Sequence, residues 1–382
     1  MTLRIGHVKG NYGQVGGIES MLEGVMPHLA EQPGAEPVVY FLTRTRDPAL
    51  EARLSAGGRV TLRPIRWRGL AAAPLAARAL ARAMAADGVA VMHSHDMRAN
   101  LLAALQQPFS RRRWICHIHG WLGATHRPLY RAFEAVDRAL MRRADLVLTG
   151  SHATLAEVQA AGARRARVLP NAIALPPDLP QAEARAQLGL PPGAVIFTVM
   201  GRLHPGKGQD LFLRALAALP REANWHGVLT GTGPEDAALK SLAGDLGIAG
   251  RLRFTGFVEA TAPWVAASDV IAVPSRKESL PLTCLEGMAA ARAVVAAAAG
   301  DLPRVIADGQ SGLIVPIDDA GALAAAFARL LPDAALRARL GAAARAQILR
   351  DHTAEGLARR MTDAARDLVA PEAQPATATV RS

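Results

Sequence analysis

Two carboxylates, Glu278 and Glu286, lie eight residues apart in the segment SRKESLPLTCLEGMA (275–289). An ionised carboxylate only accepts hydrogen bonds, which suits it to gripping hydroxyl groups. Upstream, the turn GRLHPGKG (201–208) carries Arg202 and Lys207, cations suited to phosphate. A molecule with both hydroxyls and phosphates, a nucleotide-sugar, would engage both segments.

The turn follows an apolar run and precedes a helix starting near Gln209. Gly206 and Gly208 let the backbone approach an anion, and the helix N-terminus offers unpaired N–H groups. The spacing fits G-x4-G-K, but Gly208 stands where a P-loop needs Ser or Thr for magnesium. An ordinary strand-to-helix turn with two surface cations would look the same. In the second segment the strand VIAVPS (270–275) leads to a helix, with Pro281 fitting its first turn and Ser279 its cap. N–H groups near Leu280–Thr283, including Leu282, would then favour a phosphate. Glu278 would lie in the loop before the helix. Glu286 would lie about a turn and a half into it, so both could reach one ligand. By spacing alone, two surface glutamates remain the simpler reading.

Parallel strands must position these loops. Short apolar runs at Arg4–Val8, Pro37–Leu42, Val60–Ile65, Val89–Ser94, Trp114–Ile118, Asp145–Leu148 and Arg167–Leu169 alternate with Ala/Leu-rich helical stretches. The pattern restarts at Val195–Met200, Gly227–Thr230, Arg253–Thr255, Val270–Val273, Ala293–Ala296 and Leu313–Val315. Such alternation predicts an α/β chain of two Rossmann-like, doubly wound domains facing across a cleft, with ligands at the carboxyl ends of the strands. The expected boundaries are 1–175 for the first domain and 176–192 for a Pro-rich linker with a short helix inside. The second domain is expected over 193–352. Residues 353–370 form a helix that could cross back to the first domain, and 371–382 read as a disordered tail.

The composition narrows the function classes. Aromatics make up 4% of the 382 residues, too few for a base-stacking surface, so no nucleic-acid partner is expected. Two distant cysteines, Cys116 and Cys284, argue against a disulfide framework and fit a reducing cytoplasm. No signal pattern opens the chain, and no apolar run reaches the ~20 residues of a membrane span. The net charge of +11 sits wholly in residues 1–177, with 23 Lys/Arg against 12 Asp/Glu, while 178–382 hold 21 of each. That bias suggests an anionic partner for the first half: a membrane surface (its inner face), nucleic acid or a phosphorylated acceptor. An Arg-rich solvated surface is the plain alternative.

In order along the chain, GRL…KG, GTGP (231–234), FTGFV (254–258), PS…E-x7-E and GLIVP (312–316) resemble the retaining GT-B glycosyltransferases of the glycosyl-transferases group 1, family 4 type. GGIES (16–20), HIHG (117–120), TGS (149–151) and LPNAI (169–173) add to the likeness, which covers essentially the whole chain. The resemblance implies metal-independent, retaining transfer from an NDP-sugar to a glycan or lipid-linked acceptor, with no cofactor. It implies that Arg202 and Lys207 neutralise the diphosphate. Glu286 would hold the ribose hydroxyls, and Glu278, helped by N–H groups at Leu280–Thr283, the donor sugar. Gly16 and Gly17 would lie under the diphosphate, Phe257 and Val258 beside the base, and His119 against the sugar near the reacting carbon. The chain departs from the family at Ser279-Leu280-Pro281, where Gly-Phe-Gly is frequent, and at Arg304, where Glu is usual.

His93, His95, His117 and His119 form two His-x-His pairs, which can bind metal at strand ends. With further ligands and carboxylate partners missing from the sequence pattern, ordinary loop or site histidines are the favoured reading and no metal site is expected. No Asp-x-Asp occurs, which argues against metal-dependent GT-A transferases. The segment 127–144 reads as a helix with Arg127, Arg131, Arg138 and Arg142 on one stripe and Leu129, Phe133, Val136 and Leu140 packed on the other. Other classes remain open: a GT-B nucleotide-sugar epimerase, a sugar phosphorylase, or a non-catalytic binder of anionic membranes.

Overall fold

The strands that the apolar runs predict all form. In the computed structural model, which describes residues 2–10, 17–44, 48–55, 58–110, 112–121 and 128–370, they fall into one seven-stranded and one six-stranded sheet. Gly16, Arg127 and the 371–382 tail lie outside the described residues, as does the Leu129 side chain.

The first unit runs β1 (Leu3–Gly10), α1 (Gly17–Ala30), β2 (Ala35–Thr43), α2 (Pro48–Leu54), β3 (Thr61–Arg66), α3 (Ala73–Ala86) and β4 (Val91–Ser94). It continues α4 (Met97–Gln106), β5 (Arg113–Ile118), α5 (Pro128–Met141), β6 (Leu146–Thr149), α6 (His152–Ala160) and β7 (Ala166–Val168). Its sheet order is β3-β2-β1-β4-β5-β6-β7, all parallel. After α7 (Gln181–Leu188), the second unit runs β8 (Val195–Met200), α8 (Gln209–Ala217), β9 (Trp225–Thr230), α9 (Asp236–Asp245), β10 (Leu252–Phe254) and α10 (Ala262–Ala267). It closes with β11 (Val270–Val273), α11 (Leu282–Ala289), β12 (Ala293–Ala297), α12 (Leu302–Val305), β13 (Leu313–Val315), α13 (Ala320–Leu330) and α14 (Ala334–Asp351). Its order is β10-β9-β8-β11-β12-β13, also parallel.

Helices cover both faces, so central strands such as β4, β6, β11 and β12 are buried throughout, and β6, β11 and β12 are near-continuously apolar, whereas β4 also buries His93 and Ser94. Strand order reverses between β1 and β4 and between β8 and β11. A crevice opens at the carboxyl ends of such strands. These ends carry His95 and Asp96 in the first unit, and the 201–208 turn and Ser275–Glu278 in the second.

The Pro-rich 176–192 segment is packed. Its helix α7 buries Ala184, and Arg185 donates to the Ala267 carbonyl at 2.9 Å and pairs with Asp269 at 2.6 Å. The last helix, α15 (Ala354–Val369), packs on α1 and contributes Leu357, Ala358, Met361 and Ala365 to the core over β1, β4 and β5. The return is pinned where Ile173 bridges Thr353 and His352 Nδ1 lies 2.8 Å from the Asn171 carbonyl.

Helix α5 corrects the expected apolar face. Its buried stripe is Glu134, Asp137 and Met141, and Val136 is exposed. Asp137 accepts from Asn100 Nδ2 at 2.8 Å and from Trp121 Nε1 at 3.0 Å, so donors from α4 and the β5 loop hold a polar side inward. Arg138 stacks over the Trp121 ring, 4.2 Å from its centroid.

Candidate active site

The phosphate-type turn is built by backbone contact. His204 Nδ1 accepts from Gly206 N at 3.2 Å, closing a short turn over Pro205–Lys207. Gly208 has φ 70°, and a Cβ there would lie 2.1 Å from the Pro274 carbonyl, so the turn presses against the end of β11. The GTGP loop supports the other side, since a Cβ on Gly233 would lie 2.0 Å from the Leu203 carbonyl. Arg276, which sequence reasoning missed, ties the two loops together. Its N–H donates to the Gly206 carbonyl at 2.9 Å, and its guanidinium pairs with Asp210 and Asp318, each at 2.7 Å.

Lys207 and Glu278 meet, with Nζ 2.5 Å from Oε1. Ser275 Oγ donates to the same carboxylate oxygen at 2.8 Å. Arg202 is exposed and makes no ion pair among the described residues, and its carbonyl accepts from Gln209 at 3.0 Å.

Helix α11 begins at Leu282 with Pro281 as its extended N-cap and no side-chain cap. This corrects the expected Ser279 cap: Pro281 sits one position earlier than its first-turn place, and its carbonyl receives the Cys284 N–H at 3.2 Å. The N–H groups of Leu282 and Thr283 therefore have no partner within the helix. Leu280 is buried, and its carbonyl accepts from Asn171 Nδ2 of the first unit at 2.8 Å. Gly17, at the start of α1, faces Leu282, with a Cβ there 3.7 Å from Leu282 Cδ1. The two units thus put α1 and α11 together at the crevice.

Glu286 projects from α11 and receives a hydrogen bond from Thr261; burial pushes its carboxyl above the usual range. Its Oε2 has no partner among the described residues. That Thr261 contact brings the loop holding Phe257 and Val258 toward Glu286, and Phe257 itself is 56% exposed. Arg304 is exposed on α12, without an ion pair among the described residues.

A second residue that the sequence did not disclose, Asp301, joins the units. Its own N–H donates to the Ser279 carbonyl at 2.8 Å. Its carboxylate accepts from His152 N at 2.7 Å and Ala153 N at 3.2 Å, and lies 2.9 Å from His152 Nδ1. It thus caps α6 from the opposite domain.

His119 follows β5. Burial, then the nearby Lys9 charge, lower its pKa to about 4, so the ring is neutral. It stacks on His117 with centroids 4.1 Å apart, within a cluster that also holds His7, His93 and His95. His7 was absent from the sequence argument because only the register pairs it with His93.

Two parallel-sheet α/β units facing across this cleft define the GT-B class. The glycosyl transferases group 1 profile matches residues 194–333, and that of glycosyltransferase family 4 matches residues 15–175. A D-inositol 3-phosphate glycosyltransferase of Nocardioides sp. is 31% identical over 380 residues, covering 87% of this chain and 81% of its own. The lipopolysaccharide core biosynthesis glycosyltransferase LpsE of Rhizobium meliloti is 38% identical over 156 residues, 41% of this chain and 45% of that protein. Other curated relatives at 40% identity are matched over only 38% and 40% of their length. Among solved structures, Anabaena HepE in complex with UDP and glucose superposes with TM-score 0.81 at 21% identity, over 96% of this chain and all of that one. The chain belongs to the group 1, family 4 type glycosyltransferases. Among the described residues, no helix is long and apolar enough to cross a membrane.

Proposed function

We propose that this chain transfers a sugar from an NDP-sugar to a hydroxyl of a glycan or lipid-linked acceptor, with retention and with no metal at the diphosphate. The observation that carries this reading is the Lys207–Glu278 contact beside the N-terminus of α11, with Glu286 one helical turn further on. Phosphate-binding and hydroxyl-binding groups share one crevice at a strand-order switch point. The UDP and glucose named with the Anabaena neighbour fit such a pocket.

As the C1–O bond breaks, negative charge grows on the leaving diphosphate. Arg202, Lys207 and the free N–H groups of α11 stabilise it from fixed positions. The departing phosphate takes the acceptor proton, so no protein base is assigned. Glu278 and neutral His119 orient the sugar as it becomes oxocarbenium-like, and Glu286 accepts from ribose hydroxyls. Gly17 lies under the diphosphate, and Phe257 and Val258 border the base. Closing the two units excludes the water that would hydrolyse the donor.

The relatives' names pair an inositol phosphate with one and lipopolysaccharide core with the other. A phosphorylated or lipid-linked acceptor suits the basic first half, at the cytoplasmic face of an anionic membrane in cell-surface polysaccharide or glycolipid synthesis. The test is a thermal-shift panel of nucleoside diphosphates and NDP-sugars, because a ligand of the folded state raises the melting temperature. NMR of the product then reads the anomeric configuration. No shift with any nucleotide, or an inverted product, refutes the reading.

A further inference from the structure

Five histidines converge under α1 and α15. Alternation puts His93 of β4 and His117 of β5 on one sheet face, with His95 and His119 just past the ends of those strands on the same side. The register sets His7 opposite His93, and Ser94 opposite Cys116, which aligns His95 with His117. His7, His93, His95 and His117 are each at most 1% exposed, and His119 is partly buried. A neutral imidazole carries one donor and one acceptor, and burying either unpaired is costly. His95 Nδ1, both nitrogens of His117 and His119 Nε2 find no hydrogen-bond partner among the described residues.

We infer that His95, His117 and His119 form a binding site for one divalent transition-metal ion of the zinc type. One ring nitrogen from each lies within 4.8 Å of the others. Zinc–imidazole bonds of ~2.1 Å need ligand atoms ~3.4 Å apart, so the rings, now stacked at 18° and 28°, must turn toward one another to close on an ion. Imidazole is a preferred ligand for zinc, copper and nickel. All three rings are held neutral by burial, the form that coordinates. Lys9, beside His119, pairs with Glu19 at 2.7 Å and with Asp96 at 3.5 Å, so two carboxylates offset its charge and the ion meets no bare cation. His119 is partly exposed, which gives the triad an approach, and three protein ligands leave the fourth tetrahedral position open. The consequence for transfer rests on the proposed role of His119: a bound ion would take its Nε2 away from the donor sugar and inhibit.

The experiment uses untagged full-length protein, stripped with EDTA and dialysed against zinc chloride. We expect one zinc per chain by elemental analysis, and visible absorption of tetrahedral type when cobalt replaces zinc. His95→Ala and His117→Ala should each lose the ion while keeping nucleoside diphosphate binding, whereas His93→Ala, outside the triad and without a hydrogen bond to it, keeps it. Should the variants not fold, cobalt titration of the wild type decides, because absence of a saturating one-equivalent spectrum overturns the site. Retention of zinc by His117→Ala, or its loss in His93→Ala, overturns the assignment to this triad. Zinc should lower transfer severalfold, reversibly by EDTA. Zinc binding without nucleotide affinity would remove the transferase reading and leave the site; nucleotide affinity without zinc would do the reverse.

Discussion

Lys207 Nζ lies 2.5 Å from Glu278 Oε1, joining the turn after β8 to the loop after β11. The cation proposed for the diphosphate and the carboxylate proposed for the donor sugar therefore hold one another in place. A bound donor would share both groups, with each already oriented before the chemistry begins.

Lys207→Ala should lower turnover ~10²- to 10³-fold, the scale for removing one group that stabilises charge in the transition state. Stability should barely move. The Lys207 side chain is 34% exposed, a partly solvated pair contributes at most about 1 kcal/mol, and Ser275 still holds Glu278. Melting temperature and steady-state rates measured together check this. An unchanged rate in a folded variant would remove Lys207 from the mechanism.

The glycines of the same turn separate backbone need from composition. Gly208→Ala would place a Cβ against the Pro274 carbonyl at φ 70°, so it should cost about 1–3 kcal/mol and weaken nucleoside diphosphate binding. Gly206→Ala meets only the His204 ring at 3.5 Å and should leave both nearly unchanged. Chemical denaturation and calorimetry on the two variants give the comparison, and equal behaviour would contradict the close approach.

Features that depend on short stretches of chain were legible. Strands buried on both faces must be apolar runs, so β8, β11 and β13 stood out with their observed bounds. The turn at 201–208 and the glutamates flanking the start of α11 are local, and their order along the chain carried the family likeness. Contacts made by the fold were hidden. Asp301 and His152 are separated by 149 residues, and nothing in either segment marks the other. The inward side of α5 was misread because a helix normally buries apolar residues, whereas here Asn100 and Trp121 donate to a buried Asp137. The Ser279 cap failed because Pro281, with its extended backbone, already occupies the cap position of α11.

Asp301 yields a prediction about domain closure. It is 5% exposed, and its carboxylate receives two N–H groups from the start of α6 while its N–H fixes Ser279. Asp301→Ala should loosen the two units. Turnover is expected to fall ~10-fold as closure becomes harder, with a smaller change in nucleoside diphosphate affinity. Small-angle scattering should register a larger radius of gyration, and amides of α6 should exchange faster. Unaltered scattering and exchange would show that the clasp does not set domain spacing.

Glu286 supplies the pH prediction. Burial raises its folded-state pKa above that of the unfolded chain. As pH rises past the unfolded value, ~4.3, the unfolded chain releases this proton first, so it binds fewer protons than the native state and stability falls. The loss continues up to the folded pKa and is constant beyond it. Glu286→Gln removes this titration. Its stability should match wild type at low pH and exceed it increasingly as pH climbs through that window, while nucleoside diphosphate affinity drops about ten- to a hundredfold because charged hydrogen bonds to hydroxyls are lost. Urea midpoints across the acidic to neutral range, with calorimetry at neutral pH, test both halves. Parallel stability curves would mean that the carboxyl is not held protonated by its surroundings. Full nucleotide affinity in the variant would place the ribose elsewhere.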